Sequence, residues 1–258
     1  MKIAVLIKEV PDTYGERRLS LETGLADRAA GDAVMDEIGE RALEAALSYA
    51  DNNPGTDVVL LTMAPATANA TIRKGLAAGA GSAVQVADDA LLGADLGLTS
   101  EVLAAAIQRI GADLVITGNQ STDGSGGVMA AMLAERLGLP QLTSLSSVEI
   151  TDTAVSGTRL SDAGVAQVAA ELPAVISVTD ALPPCRFPNF KGIMAAKKKP
   201  FEVLTAADLG IDPERLDVPR SILTQVAARP PRGTGVKVVD EGDGGRLLAE
   251  FLIENKLA

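Results

Sequence analysis

The chain contains no histidine and no tryptophan, one cysteine, two tyrosines and four phenylalanines in 258 residues. Without histidine it lacks the side chain that titrates near neutral pH, which excludes Ser-His-Asp and Cys-His nucleophile activation. The commonest metal ligand is missing too, so no metal site and no catalytic residue are expected. Cys185 has no partner for an intrachain disulfide, which points to a reducing, cytoplasmic setting. No apolar run approaches the roughly 18 residues of a membrane-spanning helix, and the first residues show no cleavable signal pattern. Membrane insertion is therefore not expected. Positive charge is in deficit: 23 Lys and Arg against 34 Asp and Glu leave a formal net charge of -11, which argues against nucleic acid as a partner.

What is present is aliphatic. Hydrophobic residues make up 47% of the chain while aromatics supply 2%, a composition suited to close packing of helices on a sheet. Short apolar runs at Ile3–Ile7, Asp57–Met63, Ala83–Val86 and Asp113–Gly118 read as buried strands. Between them, helical spacing of apolar residues predicts helices over 32–50, 67–78, 99–110 and 128–137. This alternation predicts an α/β fold, a Rossmann-like parallel sheet with helices on both faces. After Pro140 the pattern changes. Residues 145–180 read as antiparallel strands, including Ala174–Val178, and from 181 prolines recur through an extended C-terminal arm. A last helix is expected over 244–257. The division expected is 1–180 for the α/β domain and 181–258 for a loop and arm.

Ligands of open parallel sheets bind at the carboxyl ends of the strands. The most distinctive of these ends is "GNQSTDGSGGVM", comprising Gly118, Asn119, Gln120, Ser121, Thr122, Asp123, Gly124, Ser125, Gly126, Gly127, Val128 and Met129. Its glycines allow close backbone approach, and the helix that follows offers free amides to a phosphate. A plain glycine-rich turn is the alternative. Neither the Gly-x-Gly-x-x-Gly order nor the Walker lysine is present, and Val128-Met129 stands where an adenylating pyrophosphatase loop needs Asp-Ser. Met63, at the end of the second strand, offers a flat contact for a base, although by composition it reads first as core. The loop "IKEVPDT" carries Lys8, Glu9 and Asp12 and reads alone as solvated surface. Together the three ends suggest a nucleotide pocket.

A second feature is "RFPNFKGIMAAKKKP", residues 186–200, an apolar and cationic island in an acidic chain. Arg186, Phe187, Phe190, Lys191, Ile193 and Met194 lie in it, followed by Lys197, Lys198 and Lys199. An exposed apolar residue flanked by cations suits docking on an acidic partner. The alternative is that both phenylalanines pack inward and the lysines are merely solvated.

The stretches "IAVLIKEVPDT", "DAVMDEIGERALEAAL", "GNQSTDGSGG", "LPAVISVTDALPPCRFPNFKGIMAAKKKPFEVL" and "PPRGTGVKV", in that order, resemble the beta subunit of electron transfer flavoprotein. The resemblance implies an adenine-nucleotide-binding α/β domain and a heterodimer with an alpha subunit on which the arm packs. It further implies that FAD is held mainly by the alpha subunit and that a buried AMP sits in this chain. Carried over by position, AMP contacts fall at Leu6, at Asp36, Glu37, Ile38 and Gly39, at Met63, and along Gly118 to Met129. Asp36-Glu37 stands where the family usually has Asn-Pro, and Ala163 and Ala166 where Gly and Glu or Gln are usual. The island corresponds to the loop that docks on acyl-CoA and related dehydrogenases, with Phe190 as the anchor. By the same resemblance, electrons would then pass to a membrane quinone oxidoreductase. Two other readings stay open: an electron-bifurcating form with FAD in place of AMP, and a stand-alone adenine-nucleotide binder of the stress-protein kind.

Overall fold

A computed structural model describes residues 1–258 apart from positions 16, 17, 29, 216, 236 and 258. Along the chain run β1 (Lys2–Leu6), β2 (Glu9–Pro11), β3 (Ala33–Met35), α1 (Glu37–Asn52), β4 (Asp57–Met63), α2 (Asn69–Ala78) and β5 (Ser82–Val86). There follow α3 (Leu96–Ile110), β6 (Leu114–Gly118), α4 (Met129–Leu137), β7 (Gln141–Ile150), β8 (Ala154–Ser161), β9 (Gly164–Glu171) and β10 (Ala174–Val178). Last come α5 (Phe190–Ala196), β11 (Phe201–Leu204) and α6 (Gly244–Glu254).

Nine strands form one sheet in the order β11-β5-β4-β1-β6-β10-β7-β8-β9, with β2 and β3 as a separate antiparallel pair. The strands from β11 to β7 run parallel, and only β8 and β9 extend the sheet antiparallel. Alternation along the strands divides the core into two layers. Ile3, Val5, Val58, Leu60 and Ile116 face α1 and α2, meeting Leu43, Ala46, Ile72 and Leu76. Ala4, Leu6, Val59, Leu61 and Val115 face α3 and α4, meeting Val102, Ala106, Ile107 and Leu133. Each fully buried Leu or Ile contributes about 2 kcal/mol of transfer free energy. The expected doubly covered α/β sheet is therefore the architecture found.

Three local readings change. Residues 33–35 are not helical: Val34 pairs with Val10 in the small β2–β3 ribbon, and α1 begins only after the Asp36 cap. Ala174–Val178 is not antiparallel; β10 lies parallel between β6 and β7 with all five residues buried. A run buried on both faces belongs in the interior of a parallel sheet. Beyond Pro200, β11 adds to the sheet edge alongside β5 and buries Leu204.

The chain divides into two compact units, Met1–Thr224 and Gln225–Ala258. In the second, Asp240 Oδ1 accepts from the amides of Gly242 (2.9 Å) and Gly244 (2.8 Å), the first residue of α6, on which Leu248, Phe251 and Ile253 are exposed. Among the described residues no helix is long and apolar enough to cross a membrane.

Candidate functional site

The chain runs from β1 outward to β4 and β5, then returns to place β6 on the other side of β1. That reversal opens a crevice beyond the carboxyl ends of β1 and β6. A cavity of about 760 Å³ lies there, lined among others by Leu6, Lys8, Met63, Gly118, Asn119 and Met129. Its size is ordinary for a small-molecule site.

Asp36 organises the inner wall. It is 3% exposed and caps α1, with Oδ1 accepting from the amides of Ile38 (3.1 Å) and Gly39 (3.4 Å). Oδ2 accepts from the Thr122 amide (2.7 Å) and hydroxyl (2.9 Å), fastening the 118–128 loop to the start of α1. Each carboxylate oxygen thus already serves two donors from within the chain. Gly118 is needed for packing, since a Cβ there would lie 3.0 Å from the Ile38 side chain. Gly127 is needed for its backbone, with φ +67°, while a Cβ at Gly126 would meet only Leu96 at 3.8 Å.

Beside this loop α4 starts at Met129 with no side chain capping it, in contrast to α1 and α3, which Asp36 and Asp95 cap. The first-turn amides of α4, with the positive end of the helix dipole, therefore remain available to an anion at the cavity wall. Asn119 Oδ1 is buried and without a partner among the described residues, so it can accept from a ligand hydroxyl or amino group. Cations stand nearby. Lys8 Nζ lies 2.7 Å from Asp123 Oδ1 and 3.2 Å from Ser121 Oγ, and Arg28 is 3.4 Å from Asp123 Oδ2. Burial alone would raise the Asp123 carboxyl, but hydrogen bonds from Lys8 and Ser121 and the Lys8 charge hold it down at about 2.

The predicted contacts divide. Leu6, Asp36, Gly39, Met63, Gly118 to Ser121 and Gly126 to Met129 line the cavity, whereas Glu37, Ile38 and Thr122 to Ser125 do not. Lys8 does line it, although its loop reads alone as solvated. Sequence reasoning missed the outer wall, formed by Leu25, Arg28 and the Asp88–Leu96 connection. The only signal there is an apolar Leu91-Leu92 ahead of Gly93, which says "contact" without saying with what.

The second candidate region is the island at 186–200. Phe187 is 97% exposed, Phe190 79%, Ile193 47% and Met194 49%, so the inward-packed alternative does not hold. α5 carries three of these side chains and is capped by Asn189, whose Oδ1 accepts from the Gly192 amide at 2.8 Å. Arg186 is not a free cation. It grips Glu44 (2.7 Å) and Asp51 (2.8 Å) on α1, and the Glu44 hydrogen bond raises its pKa further. Lys199 is also turned inward, onto α2. Lys191, Lys197 and Lys198 stay exposed with no ion-pair partner among the described residues. Cys185, beside Arg186, is half-buried, and burial, followed by the Glu44 and Glu40 charges, raises its thiol to about 11.

These features define a class: an open, doubly wound α/β protein with a crevice at its switch point and an exposed apolar helix elsewhere. Residues 23–209 match the electron transfer flavoprotein domain. The chain is 46% identical over 263 residues to electron transfer flavoprotein subunit beta of Mycobacterium tuberculosis, covering 99% of this chain and 98% of that one. It is 44% identical, with the same coverage, to the subunit beta of Mycobacterium leprae. It is 34% identical over 215 residues to the caffeyl-CoA reductase-Etf complex subunit CarD of Acetobacterium woodii, covering 83% of this chain and 82% of that one. The chain belongs to the electron transfer flavoprotein family, on the beta-subunit side.

Proposed function

We propose that this chain is the beta half of a heterodimeric electron carrier in the cytoplasm. It takes electrons from acyl-CoA and related dehydrogenases and passes them toward a membrane quinone oxidoreductase. The alpha subunit holds most of the FAD, which supplies the redox chemistry when bound. The full-length likeness to beta subunits supports this reading over a stand-alone nucleotide binder.

The cavity suits an adenylate such as AMP. The uncapped α4 amides, aided by Lys8 and Arg28, would hold its phosphate, the Asn119 Oδ1 would accept from a hydroxyl or amino group, and Met63 would lie against the base. The chain's own residues thus bind and orient the nucleotide, and none of them moves a proton or an electron there. The observation that carries the docking role is the outward quartet Phe187, Phe190, Ile193 and Met194 on a segment otherwise tied down. One large apolar side chain entering a partner pocket acts as a hot spot, and Lys191, Lys197 and Lys198 would steer an acidic donor.

Co-expression with the alpha subunit tests the whole reading. The purified pair should be yellow, contain one flavin and one adenylate, and lose donor-dependent flavin reduction by tenfold or more when Phe190 becomes alanine. Two flavins and no AMP would replace the cavity assignment with the bifurcating form. Unchanged rates in Phe190→Ala would remove the docking role.

A further inference from the structure

The island at 186–200 is not a loose loop. Of its residues, Lys199, Gly192 and Ala196 face a definite seat, the carboxyl-terminal half of α2. Lys199 Nζ donates to the backbone carbonyls of Leu76 (2.8 Å), in the last turn of α2, and of Ala80 (2.6 Å), just past the Gly79 cap. A lysine there also complements the negative end of the helix dipole. Arg73, one turn back on α2, donates to the Ala196 carbonyl at 2.6 Å, at the last residue of α5. Its guanidinium also lies 5.1 Å from the Phe201 ring centre, at the start of β11. Between these two bonds α5 lies directly on α2. A Cβ at Gly192 would overlap the Ala77 carbonyl oxygen, and Ala196 is 3% exposed.

We infer that Lys199, Arg73 and Gly192 are positioning residues for partner docking, holding α5 on the end of α2 so that its apolar side chains stand ready-oriented. The inference rests on the docking role proposed above and adds to it the device that sets the helix in place. Lys199 and Lys198 are adjacent and equal in charge, yet they do different work. Lys198 is exposed and contributes field, whereas Lys199 satisfies two backbone oxygens and contributes geometry. Without the seat, a seven-residue helix is too short to persist alone. Docking would then carry the entropy of ordering it, which appears as weaker association rather than slower transfer within the complex.

The test uses the flavin-loaded heterodimer carrying Lys199→Met, Lys198→Met, Gly192→Ala or Phe190→Ala. Amide hydrogen exchange over residues 190–199 and donor-dependent flavin reduction are measured for each. Lys199→Met and Gly192→Ala are expected to speed exchange in α5 by tenfold or more. They should also raise the KM for the donor five- to twentyfold with little change in kcat. Lys198→Met should leave exchange unchanged and raise KM only at low salt. Lys199→Arg, which keeps the donor, should recover most of the loss. Unaltered exchange and KM in both Lys199→Met and Gly192→Ala would overturn the inference whatever Phe190→Ala does. An inert Phe190→Ala, by contrast, would remove the docking role, while the exchange data would still report whether α2 seats the helix.

Discussion

Asp36 and Thr122 lie 86 residues apart, yet a single carboxylate oxygen of Asp36 accepts from both the amide and the hydroxyl of Thr122. The other oxygen caps α1. Removing the side chain in Asp36→Ala forfeits a cap and leaves a buried amide unpaired, at a cost of about 2 kcal/mol. Asp36→Asn keeps the cap acceptor and loses only the Thr122 side, a cost of about 1 kcal/mol. Urea unfolding of the two variants should rank them in that order. Equal midpoints for both would refute the clamp.

Asp123 gives a pH signature. Its carboxyl titrates at about 2 in the folded chain against an ordinary 3.8. A depressed value stabilises the fold at pH above the unfolded value, and that contribution disappears as pH falls from about 4 to about 2. It amounts to about 2 kcal/mol. Asp123→Asn should flatten the stability curve in that window and leave the slope above pH 5 alone. An acid limb identical in both proteins would refute the assignment.

Asn119 tests the cavity without touching the fold. Its Oδ1 is buried and, among the described residues, unpartnered, so Asn119→Leu gives up no side-chain oxygen bond to them. Stability of the nucleotide-free chain should change by less than about 0.5 kcal/mol. Adenylate released on heating, quantified by chromatography, should fall at least tenfold. Full retention would mean that the nucleotide is held elsewhere.

Cys185 should be inert. With its thiol raised to about 11 from an ordinary 9, the reactive thiolate is about 100-fold scarcer at pH 8. Alkylation of the native chain should lag far behind the urea-unfolded chain and accelerate in Glu44→Gln. Equal rates in native and unfolded protein would contradict the burial and charge around it.

The sequence made the alternating elements legible because each carries its own period. β4 is found over Asp57–Met63 as its apolar run marks it, and α3 departs only by starting at Leu96 instead of Thr99. Direction was harder. Ala174-Val175-Ile176-Ser177-Val178 states burial on two faces but not which way the strand runs, and its place beside β6 depends on contacts made 60 residues earlier in the chain. β11 was hidden because Pro200 and three lysines look like surface, although Lys199 is spent on α2. In the cavity, the glycine loop announces itself through residue types that permit close approach. The Asp88–Leu96 wall does not, because its aspartates act as local caps, Asp88 for Ala90 and Asp95 for Leu98, and capping residues look alike whether or not a ligand lies beyond them.

The strand order also bears on how the chain must be made. When translation has passed Gly118, only β5, β4, β1 and β6 exist, and both outer strands of that half-built sheet are raw. The strand that shields β6 is β10, and the one that shields β5 is β11, so neither flank closes until the ribosome has emitted some 60 to 90 further residues. Unshielded strand edges recruit other chains. The vulnerable interval for this polypeptide is therefore its own synthesis, and a chaperone that screens nascent sheet margins would serve it more than any helper acting after release.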